Sequence, residues 1–229
     1  MGDPSRMADN QSPELFGQTP WQTVGPYFHL RLPWRGGADL IGGSQAGAPE
    51  LMPPGQLQRE PAASSATSGR RIEIVGRVLD GQAAPVPDAL LEIWQANAAG
   101  RYVCAADPRG ELPLEAGFSG FGRAASAPDG SFRFLTIMPG RVPDPHGALQ
   151  GPHLAVGVLG RGLLKRLVTR IYFEGEAGND TDPILALVPP RRRGTLIARR
   201  IAQAPGGAPA SYRFDVRLQG EGETVFFAY

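Results

Sequence analysis

RIEIVGRVL, residues 71–79, places Ile72, Ile74 and Val78 on one face at period two, the spacing of a half-buried β-strand. Asp80-Gly81 closes it with a turn signal. Downstream the pattern repeats. ALLEIWQA (89–96) follows Pro85 and Pro87, and SFRFLTI (131–137) runs from Asp129-Gly130 to Pro139-Gly140. HLAVGVL (153–159) and LVTRIYF (167–173) flank the loop GRGLLKR, which contains Arg161. SYRFDVRL (211–218) and TVFFAY (224–229) bracket a Gly220–Gly222 turn and predict a hairpin. Helix signals are sparse. Asp182 is a good N-cap with Pro183 at the first helical position, and a second short helix is expected near 190–200. Many short strands at this spacing predict an all-β protein, an antiparallel β-sandwich with one or two short helices.

Upstream of the first strand the chain reads differently. Residues 1–18 are polar with two early prolines and are expected to form a flexible N-terminal arm. The stretch 36–69 is rich in Gly, Ala, Pro and Ser, a composition that buries little surface by itself but can wrap over a neighbour. The expected organisation is therefore an arm (1–18), a segment with a long loop region (19–69) and a β-sandwich domain (70–229).

Composition removes several classes of function. With 23 basic against 22 acidic residues the formal charge is +1, so no field exists to hold nucleic acid or an anionic membrane. No run approaches the roughly 20 apolar residues of a membrane span, and the N-terminus lacks an apolar stretch of signal-peptide length. Cys104 is the lone cysteine, which excludes an internal disulfide and a cysteine-based zinc site. A reduced, cytoplasmic setting is the expectation.

No self-contained active site emerges from residue types. The histidines are His29, His146 and His153. His153 opens an apolar strand whose next same-face residue is Ala155, so no His-x-His pair can chelate. It reads as a packed or solvated histidine. Cys104 has no histidine near it and reads as an inert thiol. Arg161 reads as a loop arginine. In TPWQTVGPYFHL (19–30), Thr23, Gly25, Pro26 and Tyr27 read as a turn with a packed aromatic.

Taken together, the segments resemble one family. TPWQTVGPYF (19–28) matches the T-x-x-Q-T-x-G-P-Y signature of the intradiol aromatic-ring dioxygenases. LLEIWQANAAGRY (90–102), FGRAASAPDGSFRFLTIMPG (121–140) and LVTRIYFEGE (167–176) are similar to its core. The final run, YRFDVRLQGEGETVFFAY (212–229), is particularly similar to α-type chains of the heteromeric, protocatechuate-cleaving branch. The likeness leaves the 36–69 region unaccounted for.

The resemblance implies a ferric centre of two tyrosines and two histidines, phenolates being suited to a hard cation. The motif places Gly110 at the first tyrosine, Val142 at the second, His153 at the first histidine and Ala155 at the second, with Gln150 in place of an arginine. Three ligand positions are lost and His153 is a vestigial ligand. Fe(III) is then expected on a homologous β chain that keeps two Tyr and two His, and not on this chain. Thr23, Gly25, Pro26, Tyr27 and Arg161 are expected to line a substrate pocket shared with that partner. Protocatechuate and O2 would meet there, within a higher αβ oligomer. The implied reaction is intradiol cleavage of 3,4-dihydroxybenzoate to 3-carboxy-cis,cis-muconate, in the β-ketoadipate pathway. The alternative is a non-enzymatic β-sandwich module that has lost its metal site.

Overall fold

A computed structural model describes residues 22–28, 32–33, 36–42, 69–115, 117–201 and 209–228. The strands are β1 (Arg71–Leu79), β2 (Leu90–Trp94), β3 (Phe121–Ala125), β4 (Ser131–Ile137), β5 (His153–Leu159) and β6 (Leu167–Phe173). Two short helices follow, α1 (Pro183–Leu187) and α2 (Pro190–Arg193), and then β7 (Ile197–Arg200), β8 (Ala210–Arg213) and β9 (Val216–Arg217). The arm expected over 1–18 lies outside the described residues. Among the described residues no helix is long and apolar enough to cross a membrane.

The all-β class holds, but the pairing is not antiparallel throughout. Hydrogen-bonded neighbours run β3-β2-β5-β6-β7-β8-β1-β4, with β9 against β1. The β1–β8, β1–β9 and β6–β7 pairs are parallel. A parallel neighbour needs a crossover, and the turns and helices between Phe173 and Ile197 provide it for β6 and β7. The result is a nearly closed, barrel-like sheet. Its inner face carries Ile72, Ile74, Leu91, Ile93, Phe134, Leu154, Val156, Ile171 and Phe173, all essentially inaccessible to solvent.

What nearly closes the sheet is the stretch that composition marked as a loop. The ends β3 and β4 are consecutive in sequence yet do not pair. Residues 37–40 fill the gap: Gly37 O accepts from Arg123 N (2.7 Å), Ala38 O from Leu135 N (2.8 Å), and Leu40 N donates to Leu135 O (2.9 Å). Leu40 is fully buried, a burial that contributes roughly 1.5–3 kcal/mol. β3 makes room for it, because a Cβ at Gly122 would lie 2.6 Å from Leu40 Cδ1 and 2.8 Å from Gly37 O.

Two expectations need correction. The hairpin across Gly220–Gly222 does not form a ladder. The turn exists, with Glu223 N donating to Gly220 O (3.0 Å), and Thr224 N still reaches Arg217 O (3.0 Å). Beyond it the chain leaves β9, and Phe227 N donates to Val168 O instead (2.8 Å). Val225 and Phe227 there cover a second apolar cluster of Tyr172, Leu185, Val188 and Leu196. Covering those side chains removes apolar surface from water, which favours this path of the chain. The second helix is also shorter than expected. It ends at Arg193, and a 3-10 turn (Gly194–Leu196) leads into β7, which occupies the rest of 190–200.

Candidate functional site

The outer face of β5 and β6 holds two of the four carried-over ligand positions, His153 and Ala155. Antiparallel register sets His153 opposite Tyr172 and Ala155 opposite Arg170, and Ala155 also faces Trp94 of β2. Residues two apart on a strand share a face, so His153, Ala155, Arg170 and Tyr172 form one patch. Val142 is buried beside it, its carbonyl accepting from Gln150 N at 2.9 Å. Gly110 stands apart on an exposed loop, held by Arg101 Nη1 to its carbonyl at 3.3 Å. That loop is pinned by Asp107, whose carboxylate accepts from Tyr102 N (2.7 Å) and from Arg109 Nε (2.8 Å). Arg109 holds the Asp107 carboxyl well below the usual carboxylate range. Tyr102 in turn stacks on Trp94 at 5.8 Å.

His153 is 5% exposed, and its Nδ1 lies 2.8 Å from Gly151 O. A carbonyl can only accept, so Nδ1 carries the proton of a neutral imidazole. Burial, with the Arg170 cation adding to it, lowers the His153 pKa to about 4. The folded value lies below the unfolded one, so the stabilisation is present above pH 6.5 and is lost as pH falls toward 4. Wild type is expected to lose on the order of 2–3 kcal/mol across that window through this group. Denaturant titrations at several pH values should show a much flatter profile for His153→Gln. Parallel profiles would mean that the imidazole charges freely in the folded state.

Beneath the patch lies a buried polar hub. Asp182 Oδ1 accepts from Ile184 N (2.9 Å), Leu185 N (2.7 Å) and Tyr172 OH (3.0 Å). Its Oδ2 accepts from Gly151 N at 2.7 Å. Arg170 Nη1 donates to Gln150 Oε1 (2.6 Å) and to Tyr172 OH (3.3 Å). Burial pushes the Tyr172 phenol above its ordinary range. The sequence marked Asp182 as a helix cap alone, and Arg170 and Tyr172 carried no signal without the register.

These residues do not fit ferric iron. Glycine, valine and alanine have no donor atom, and the remaining histidine is fixed to a backbone carbonyl beside a permanent cation. Among the described residues no group of three or more His, Cys, Asp or Glu converges as a metal site. His146 is exposed in a loop, Cys104 is an exposed free thiol, and His29 lies outside the described residues.

The other candidates gather at the far end of β5. Thr23 Oγ1 accepts from Gly162 N at 3.0 Å, docking the N-terminal segment on the Arg161 loop. Gly25 sits at φ 79°, which a turn can take readily only with glycine, and Pro26-Tyr27 continue that turn. Tyr27 projects outward, 75% exposed. Arg161 Nε lies 2.8 Å from Asp88 Oδ2, although that oxygen has no aligned hydrogen bond. β2–β5 register explains the encounter, since Leu90 pairs with Leu159 and Asp88 and Arg161 extend the same ladder. At about 3.3 Å per residue, the seven residues of β5 separate this cluster from His153 by roughly 20 Å.

Known proteins share this arrangement of strands and motifs. A family model described as dioxygenase matches residues 48–220. The protocatechuate 3,4-dioxygenase alpha chain of Burkholderia cepacia is 42% identical, over 92% of this chain and 96% of the relative. This chain belongs to the intradiol ring-cleaving dioxygenase family. A second intradiol relative, the protocatechuate 3,4-dioxygenase beta chain of Burkholderia cepacia, is 40% identical over 68% of this chain and 67% of its own length. Among solved structures, the dioxygenase domain of a dioxygenase–carbohydrate-binding fusion from Streptomyces sp. SirexAA-E is 27% identical with a TM-score of 0.54. It covers 88% of this chain and 98% of that domain.

Proposed function

We propose that this chain is the iron-free α-type subunit of a heteromeric protocatechuate 3,4-dioxygenase. A homologous β-type chain holds Fe(III) through two tyrosines and two histidines, and this chain shapes the pocket. The complex cleaves 3,4-dihydroxybenzoate with O2 to 3-carboxy-cis,cis-muconate, a step of the β-ketoadipate pathway. The observation that carries the reading is the division along β5. Arg161 stands at one end, on the loop where Gly162 N docks Thr23, and the donor-poor patch around His153 stands at the other. A cation and an exposed tyrosine with no catalytic centre beside them among the described residues are suited to completing a site on another chain. Tyr27 is exposed, and exposed tyrosines are enriched where interfaces close.

Within that reading this chain binds and orients. Arg161 supplies positive charge for the substrate carboxylate, which attracts and aligns it. Gly25, Pro26 and Tyr27 wall the pocket. No step of ring cleavage is assigned to a metal on this chain. The test is metal content together with assembly. The isolated, folded chain should lack ferric iron and the visible absorption of iron tyrosinate. Co-expressed with an iron-bearing β chain, it should co-elute as one complex with activity toward protocatechuate. Stoichiometric iron in the isolated chain, or separate elution of the two chains, would overturn the assignment.

A further inference from the structure

We propose that Arg170 is the built-in cation of the vestigial centre and excludes metal from it, over and above the loss of ligands. The inference rests on the ligand positions carried over above. Arg170 and Ala155 are cross-strand partners, so their Cβ atoms lie on one face within about 5.5 Å. A histidine at 155 would therefore project beside the guanidinium. That guanidinium is not a loose surface charge. Nη1 donates to Gln150 Oε1 at 2.6 Å and to Tyr172 OH at 3.3 Å. Gln150 Nε2 continues to Pro143 O at 3.3 Å, and Gln150 N to Val142 O at 2.9 Å. Tyr172 OH continues to Asp182 Oδ1 at 3.0 Å. One permanently charged group on β6 thus holds the 142 loop and the segment that leads into β5 at the place where the family's motif puts its ligands.

Charge balance supports the same conclusion. Asp182 is the anion of the network, and its carboxylate already accepts from Gly151 N, Tyr172 OH, Ile184 N and Leu185 N. A second cation comes close from the 142 side, where Arg141 Nε donates to Gln150 O at 3.1 Å. A divalent or trivalent ion would enter a patch whose one carboxylate is fully engaged and whose arginines cannot deprotonate. Like charges so close in a partly buried setting repel strongly. A guanidinium can replace a metal structurally because it too organises several oxygen acceptors from one centre.

The test rebuilds a chelate and then removes the charge. Ala155→His sets a second imidazole two residues beyond His153 on the same face, a His-x-His pair. Zn(II) is titrated calorimetrically into the full-length Ala155→His chain, the Ala155→His/Arg170→Gln chain and the Ala155→His/Arg170→Lys chain. Arg170→Gln keeps a hydrogen-bonding side chain without the charge, and Arg170→Lys keeps the charge without the fork. The expected result is at least ten-fold tighter Zn(II) binding with glutamine than with arginine or lysine at position 170. Equal affinity in the arginine and glutamine backgrounds overturns the proposal, as does tight binding with lysine. Should the glutamine double variant fail to fold, Ala155→His alone decides. Micromolar Zn(II) binding with Arg170 in place refutes the proposal, and no binding up to millimolar concentration sustains it. The measurement needs no partner chain, so its failure is distinct from a failure of the subunit assignment.

Discussion

Asp182→Ala is expected to lower the melting temperature by roughly 10–15 °C. Its side chain is 1% exposed and accepts four hydrogen bonds, from two helix N-terminal amides, the Gly151 amide and the Tyr172 hydroxyl. Loss of the N-cap costs about 1 kcal/mol. Leaving the Gly151 and Tyr172 donors unsatisfied in a buried setting costs a further 1–3 kcal/mol or so each. The sum is about 3–7 kcal/mol, and at about 2–4 °C per kcal/mol for a chain of this size the expected shift lies within the resulting range. Asp182→Asn should fall between, because an amide can still cap α1 but presents an NH2 to at least one of the other donors. Thermal unfolding followed by circular dichroism reads both. A shift below about 3 °C for alanine would mean that water or a neighbouring acceptor substitutes for the carboxylate, and that the hub is not what holds the start of β5 against α1.

The hub also shows where reading the sequence stops. Asp182-Pro183 announced a helix start through local chemistry, and the helix is there. The alternation in 71–79 gave β1 for the same reason, since period two is a property of one strand alone. Leu40 could not be seen this way. GGADLIGG looks like a linker until β3 and β4 are known to leave a gap that it fills. β3 itself, FGRAA, has two alanines and a glycine where a strand usually advertises itself with branched or aromatic residues. Its glycine is there for Leu40, a contact 82 residues away in sequence. The hairpin expectation failed in the complementary way. TVFFAY has strand chemistry, but Val225 and Phe227 pack on the second apolar cluster instead of extending a ladder.

The site divided along the same line. Motif resemblance carried Gly110, Val142, His153 and Ala155 residue by residue, and the register of β5 and β6 then placed His153 and Ala155 on one face. Resemblance said nothing of Arg170 or Asp88, because each acquires its role from a cross-strand neighbour. Asp88 meets Arg161 only because β2 and β5 pair with Leu90 opposite Leu159. A charge pair of that kind is written in the register, not in either strand.

That pair sets the terms of the remaining prediction. In the complex with an iron-bearing β chain, Arg161→Ala is expected to reduce kcat/KM for protocatechuate between about 10-fold and 150-fold. The range follows from the roughly 1.5–3 kcal/mol of a hydrogen bond to a charged group. The loss should lie toward the lower end. Arg161 is 60% exposed and already lies 2.8 Å from Asp88 Oδ2, so a substrate carboxylate held as proposed would compete with an internal anion, and water would screen both. Asp88→Asn removes the competitor while keeping its shape, and should raise kcat/KM for protocatechuate a few-fold at low salt, with the gain shrinking as ionic strength rises. Plain catechol lacks the carboxylate and is the control for both variants. It should respond weakly to Arg161→Ala and hardly at all to Asp88→Asn. Equal losses on the two substrates would mean that Arg161 holds the loop at 160–162, and with it Thr23, instead of the ligand. No loss on either would leave Arg161 a surface residue paired with Asp88.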